Sequence, residues 1–284
     1  MDNTLKDELI GKEFKVLDKG FVRLIDVMGD DSAIVQAARV SYGEGTKTVR
    51  EDKGLIRYLM RHRHTSPFEM VEFKFHIKLP IFVARQWIRH RTANVNEYSG
   101  RYSVIRDEFY VPEIEEIRTQ SQINKQGRSD ENISPDLAKN IAKKIEDTQS
   151  KLYSEYEEFL NLNLARELSR INLPLSTYTE WYWKIDLHNL FHFLKLRLDK
   201  TAQFEIRKYA EIMADIVKSI VPLSYEAFED YLLNSVSFSK NELLFLKNIF
   251  NNLPQINEES LISAGFSKTE SREFLEKLEI FNRL

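Results

Sequence analysis

Nine residues constrain the fold of this chain more than any others. From Val71 to Leu79 the side chains alternate, with Val71, Phe73, Phe75, Ile77 and Leu79 apolar and Glu72, Lys74, His76 and Lys78 polar. Successive side chains on a β-strand point to opposite faces, so this pattern predicts a strand with one face in a core and the other toward water. Pro80 suits the first turn of a following helix, because its missing N–H is not needed there. Ile81, Phe82, Ala84, Trp87 and Ile88 supply the apolar face of that helix, which delivers Arg85, Arg89, His90 and Arg91 near its end.

Other segments extend the pattern. Phe21–Met28 reads as a strand, Asp30 or Asp31 caps a helix through Arg39, and Ser41–Gly45 forms a short loop. Val49–His62 is helical despite Gly54, which weakens a helix by up to ~1 kcal/mol relative to alanine. The polar stretch between Glu115 and Ser134 reads as a mobile excursion. Ser134-Pro135 opens a long amphipathic helix to about Leu160. Ser176–Ile185, rich in Thr, Tyr and Trp, reads as a strand, and Leu187–Leu198 and Phe204–Val221 as helices. The expected fold is α+β, an antiparallel sheet flanked by helices. It occupies residues 1–231, followed by a more polar appendage, 232–284, with helical patterns at Leu243–Ile249 and Thr269–Phe281. No repeat or low-complexity tract points to a solenoid or a disordered scaffold.

Composition narrows the chemistry. A net charge of −3 gives no overall basic field for nucleic acid, so an anion site has to be a local cluster of Arg and Lys. Cysteine is absent, which excludes disulfides, thiolate metal sites and thiol nucleophiles. The charged N-terminus lacks the apolar stretch of a signal peptide, and no apolar run approaches the ~18 residues of a membrane span. These features place the protein in the cytoplasm, with no membrane partner.

The densest polar cluster runs from Arg85 to Tyr102, where Arg85, Arg89, Arg91 and Arg101 face the single carboxylate of Glu97. Guanidinium groups bind phosphate through paired hydrogen bonds, and a helix end passing into a Ser-Gly turn adds further donors. The cluster is therefore either a site for a phosphorylated ligand or a set of solvated arginines and surface ion pairs.

Arg89-His90-Arg91, followed after seven residues by Ser99 within NEYSGRY, resembles the motif of the flavin-dependent thymidylate synthases. The resemblance extends from about Val16 to Tyr231. It includes Ala37-Ala38-Arg39-Val40-Ser41, His64-Thr65-Ser66-Pro67-Phe68-Glu69, Ile81–Trp87, Arg170-Ile171-Asn172-Leu173-Pro174 and Leu187–Glu205. It implies a dUMP site drawn from Gln86, Arg89, Glu97, Ser99, Gly100, Arg101, Arg170 and Arg197. It likewise implies an FAD site drawn from Ser66, Arg89, His90, Arg91, Glu97, Asp186, His188 and His192. Sites shared between subunits of a homotetramer are implied as well.

The implied reaction makes dTMP from dUMP, with methylenetetrahydrofolate as carbon donor and NADPH as the reductant of FAD. It requires no cysteine nucleophile, in accord with a chain that has no thiol to add at uracil C6. Arg197 takes the catalytic role of stabilising negative charge near N3 and O2 of the pyrimidine. Asp186 stands where the family commonly carries Asn, so its carboxylate accepts hydrogen bonds but cannot donate them.

Blander roles stand beside these. Ser66 and Glu69 have the spacing of a helix capping box, a role compatible with ligand contact. Arg170 and Arg197 could form ion pairs, and Tyr98 and Tyr102 could simply pack. Ser99 lacks a Ser-His-Asp arrangement, so positioning of the nucleotide is favoured over nucleophilic attack. His188 and His192 lie four apart on a helix, a spacing that also suits a metal, but no third ligand is evident and flavin contact is favoured. Two further classes compete: a nucleotide-binding regulatory protein that has lost redox chemistry, and a metal-dependent phosphohydrolase.

Overall fold

The computed structural model describes residues 3–40, 49–123, 125–249 and 256–283. The loop expected at Ser41–Gly45 lies outside them. The chain divides into two compact units, Met1–Leu233 and Asn234–Leu284. Among the described residues no helix is long and apolar enough to cross a membrane.

The first unit opens with α1 (Asn3–Leu9), β1 (Glu13–Val16) and β2 (Gly20–Met28). Next come α2 (Asp31–Arg39) and α3 (Val49–Arg61), then β3 (Glu72–Pro80) and α4 (Ile81–Trp87). Asp30 caps α2 by accepting from Ser32 N. A short edge strand β4 (Asn94–Glu97) and a hairpin of β5 (Arg118–Gln120) and β6 (Arg128–Asn132) precede the long helix α5 (Pro135–Asn161), which Ser134 caps. The one-turn helix α6 (Arg166–Ser169), β7 (Tyr178–Asp186), α7 (Leu187–Arg197), α8 (Phe204–Ile220) and α9 (Pro222–Phe228) complete the unit. The second unit holds α10 (Lys240–Ile249), α11 (Glu258–Ser263) and α12 (Lys268–Arg283), with Asn257 and Ser260 forming a capping box for α11.

The main sheet has the order β1-β2-β3-β7-β4, every pair antiparallel. The alternation in β3 is realised in its burial: Phe73, Phe75, Ile77 and Leu79 are wholly buried, joined on that face by Trp181, Trp183 and Ile185 of β7. Helices cover this face, and Trp87 at the end of α4 packs edge-on against Trp181 and Trp183 and at 4.6 Å against Phe193 of α7. Burying such aromatic surface supplies the largest favourable term available to a core of this kind.

Several local expectations are corrected. Lys78, assigned by alternation to the solvent side, is buried because the 108–110 segment pairs with the start of β7. Tyr178 N donates to Glu108 O, and the Glu108 carboxylate receives the Lys78 ammonium at 2.7 Å. The 115–134 stretch contains the β5–β6 hairpin, which the sequence reading did not identify. Arg128 of that hairpin pairs with the buried carboxylate of Glu205, which also accepts from Tyr110 Oη at 3.1 Å. Burial, and then that carboxylate, push the Tyr110 phenol well up. Within α4 it is Val83, Ala84 and Trp87 that are buried, while Ile81 and Phe82 are half-buried and Ile88 is exposed. Pro80 ends β3 and precedes the first turn of α4 rather than lying within it.

Gly20 closes the β1–β2 turn where no side chain fits. A Cβ there would sit on the Tyr209 hydroxyl, 2.7 Å from Val16 O and 2.9 Å from Lys78 O. Tyr209 Oη donates to that same Lys78 carbonyl at 2.7 Å, tying α8 to the sheet. Gly20→Ala is therefore expected to destabilise the protein by about 2 kcal/mol or more. Urea denaturation would register this as a lowered midpoint, and a midpoint equal to that of the parent would show that the turn has slack.

Candidate active site

Helix α4 ends at Trp87: Ile88 N still makes the regular helical bond to Ala84 O, and His90 N then closes a tighter turn onto Trp87 O. Arg89, His90 and Arg91 thus leave the helix on a short turn anchored by a buried tryptophan, near its end as the sequence predicts. Opposite them stands α7. Asp186 caps this helix, accepting from Asn189 N at 2.9 Å and from Asn189 Nδ2 at 2.7 Å. The apolar side of α7, including Leu190, Phe193 and Leu194, enters the core, and its other side presents His188, Asn189, His192 and Arg197.

Two cavities flank α7. The first, about 300 Å³, is bounded by Arg89, His90, Arg91 and Thr92 on one side and by Asn189, His192, Leu196 and Arg197 on the other, with Ile185 of β7. Arg197 Nε donates to His90 Nε2 at 3.1 Å. Burial, then the charge of Arg197, then His192 push the His90 imidazole down to about 4. Burial also lowers the Arg197 guanidinium from its ordinary value. Among the described residues no carboxylate lies within ion-pair distance of Arg89, Arg91 or Arg197, so the cavity carries uncompensated positive charge.

The second cavity, about 280 Å³, has an apolar wall of Leu59, Met60, Phe68, Phe191 and Leu232. Arg63, His64, Thr65, His188, His192 and Lys195 complete it, so His192 borders both spaces. Arg63 holds φ of 57°, a left-handed conformation that non-glycine residues seldom adopt. Among the described residues no group of three or more His, Cys, Asp or Glu is placed to hold a metal ion.

A separate group of the expected residues gathers beyond β4. Glu97 accepts from Thr179 Oγ1 at 2.8 Å. The chain then turns tightly, with Tyr102 N and Ser103 N both donating to Ser99 O, while Ser99 Oγ accepts from Arg101 N at 3.3 Å. Gly100 packs closely within this turn: a Cβ would come within 2.8 Å of Ile105 Cδ1 and 3.2 Å of Arg170 Cδ, so those side chains would have to shift. Arg101 forms an exposed ion pair with Glu167 at 3.0 Å, the surface role weighed for it from sequence.

Gln86 has its Oε1 buried without a hydrogen-bond partner. Ser66 opens a short 3-10 turn that Thr65 precedes with no side-chain capping bond, so the Ser66/Glu69 capping box does not form. Tyr98 and Tyr102, expected to pack, are exposed, and Tyr98 Oη donates to Val104 O instead. Ser66, Gln86 and Asp186 line neither cavity, and Asp186 reaches the first only through Asn189.

Sequence reasoning did not single out Asn189, Arg63, His64 or Lys195 as site residues. For Lys195 a signal existed, since His188, His192 and Lys195 recur at helical spacing along one face of α7.

The chain is similar to known proteins along most of its length. A family described as "Thymidylate synthase complementing protein" matches residues 23–223. The flavin-dependent thymidylate synthase of Treponema denticola is 61% identical over 238 residues, covering 84% of this chain and 90% of that protein. That of Thermus thermophilus is 57% identical, covering 93% of this chain and 94% of its own length. That of Rickettsia conorii is 50% identical over 99% of this chain and 100% of its own. Among solved structures, a UMP/dUMP methylase PolB from Streptomyces cacaoi bound with 5-Br UMP superposes with a TM-score of 0.70 at 33% identity. That match covers 78% of this chain and 99% of the other.

The capping role of Asp186 has a direct test. Asn caps helices about as well as Asp, whereas Ala removes the bond at a cost of about 1 kcal/mol. Asp186→Asn should leave the thermal midpoint near that of the parent and Asp186→Ala should lower it. Equal midpoints for the two variants would remove the cap from the account.

Proposed function

The chain belongs to the flavin-dependent thymidylate synthase family, and on that premise we propose that it makes dTMP from dUMP in the cytoplasm. Methylenetetrahydrofolate is the carbon donor and NADPH the reductant. The observation that carries this reading is the cavity in which Arg89, Arg91 and Arg197 stand together without a carboxylate, in a chain that has no cysteine. Uncompensated guanidinium groups attract a nucleotide phosphate and stabilise charge that develops on a pyrimidine ring.

FAD fits the residues present. It needs apolar walls for its ring system and cations for its pyrophosphate, and the adjoining cavities supply both. Leu59, Met60, Phe68 and Phe191 would face the ring system. Arg89, His90, Arg91, His188 and His192, with Ser66, Glu97 and Asp186 at the periphery, would hold the remainder. When bound, FAD supplies the reducing equivalents that take the place of thiolate chemistry.

The chain's own residues do the rest. Gln86, Arg89, Glu97, Ser99, Gly100, Arg101, Arg170 and Arg197 bind and orient dUMP, and Arg197 stabilises negative charge on the pyrimidine. Ser99, whose oxygen accepts from a backbone N–H, positions the nucleotide and is not a nucleophile.

We assign this activity to residues 1–231, with 232–284 as an appendage, and assign the working state as a homotetramer with shared sites. Two observations support the shared sites. Within one chain the Ser99 turn residues line neither cavity, and the surface around them carries exposed apolar side chains, among them Tyr102, Leu168 and Ile171. Surface of that kind marks an interaction face.

Anaerobic turnover of dUMP with methylenetetrahydrofolate, FAD and NADPH should yield dTMP, and the purified protein should show a flavin spectrum. Arg197→Ala should fold normally yet lose roughly 100- to 1,000-fold in kcat. Near-parental dTMP formation by that variant would remove Arg197 from the chemistry, and the absence of both flavin and dTMP from the parent would remove the reading itself.

A further inference from the structure

An arginine is useful to catalysis only if its guanidinium is held in one orientation, and a free arginine side chain loses rotamer entropy when it is fixed. Proteins commonly fix such a group with a carboxylate, which also cancels its charge. Here Arg197 has no carboxylate partner among the described residues, and its Nε–H goes to an imidazole.

We propose that His90 is the positioning residue of Arg197: the Nε2 lone pair of its ring receives the Arg197 Nε–H and sets the plane of the guanidinium. The inference rests on the reading that Arg197 engages the pyrimidine. The direction of the bond is fixed by chemistry, because a guanidinium has only donors. The imidazole must therefore accept through Nε2 and carry its own proton on Nδ1. Anchoring Arg197 through Nε leaves both terminal nitrogens for a ligand, and anchoring it with an uncharged group leaves its full positive charge in the cavity.

His90 is rigid enough for this task. Its backbone N–H is bonded to Trp87 O, and its ring stands edge-on to Phe193 at 4.9 Å, within the aromatic cluster around Trp87. The charged and titratable groups around it are Arg197 and His192 of α7 and Arg89 and Arg91 of its own segment. All are basic, and burial, then Arg197, then His192 oppose a second proton on the ring. With His90 held at about 4, against near 6.5 for a free histidine, the acceptor persists as the pH falls from 7 to 5 and is lost only toward 4.

Two measurements test the proposal. In the ligand-free protein, exchange of each imidazole C2–H followed by mass spectrometry titrates the histidines one by one. His90 should titrate far below 6.5, and should move up in Arg197→Met, which removes a neighbouring charge. A value at or above 6.5 in the parent overturns the proposal, since a protonated ring has no lone pair to give.

The second measurement is kcat per flavin-loaded subunit. His90→Leu, which lacks an acceptor, should lose on the order of 100-fold, the penalty of a misplaced catalytic group. His90→Gln, whose side-chain oxygen can take the place of Nε2, should recover most of that loss. If both variants merely lose flavin while each loaded subunit turns over at the parental rate, His90 serves the cofactor alone and the positioning role falls. A parent that forms no dTMP would instead sink the synthase reading, and the exchange titration would still judge the His90–Arg197 bond.

Discussion

The packing of Trp87 governs the rest of the structure. Its indole meets Trp181 and Trp183 of β7, Phe193 of α7 and Tyr209 of α8, so one side chain fastens α4 to the sheet and to two helices. Dense cores tolerate little displacement, and this contact fixes the end of α4 against α7 to within the slack of a close-packed interior. The turn that follows therefore has little freedom, and Arg89, His90 and Arg91 are delivered opposite His192 and Arg197.

That delivery opposes stability. Basic side chains are brought around one cavity with no acid among the described residues to offset them, and burial weakens the hold of His90 and Arg197 on their protons. Like charges held together at the end of a packed core are tolerated because the aromatic cluster beneath them is strong. A bound anion would relieve the repulsion. The left-handed backbone of Arg63 at the neighbouring cavity is a second local cost borne at the same place. Asp186 illustrates how a residue can serve such a site indirectly: its carboxylate is taken up by Asn189 and the start of α7, and Asn189 faces the cavity in its stead.

The elements legible in the sequence are those whose side chains report their own environment. The period-two pattern of β3, the β-branched and aromatic run of β7, the capped start of α5 and the amphipathic α8 each bury the face that their spacing marks. Strand β4 left no such mark. All four of its residues are exposed, and it is a strand only because Tyr182, Trp181 and their neighbours on β7 pair with it. The β5–β6 hairpin was not legible for a related reason. Its residues are polar, and what anchors it is Glu205, far along the chain and buried beneath Arg128. The depth of Lys78 likewise depends on a segment some thirty residues away.

The residue types of the site were evident in the linear order: a cluster of arginines and histidines, a Ser-Gly turn, and no thiol anywhere. Periodicity and propensity are local, so they also reveal the main strands, the long helices and the ends at which charged residues appear. Which charges meet is another matter. That Arg197 is held by His90 and that Arg101 is taken by Glu167 follow from contacts between elements. Hydrogen bonds and charge interactions fall off over a few ångströms, and only the packed chain sets such distances.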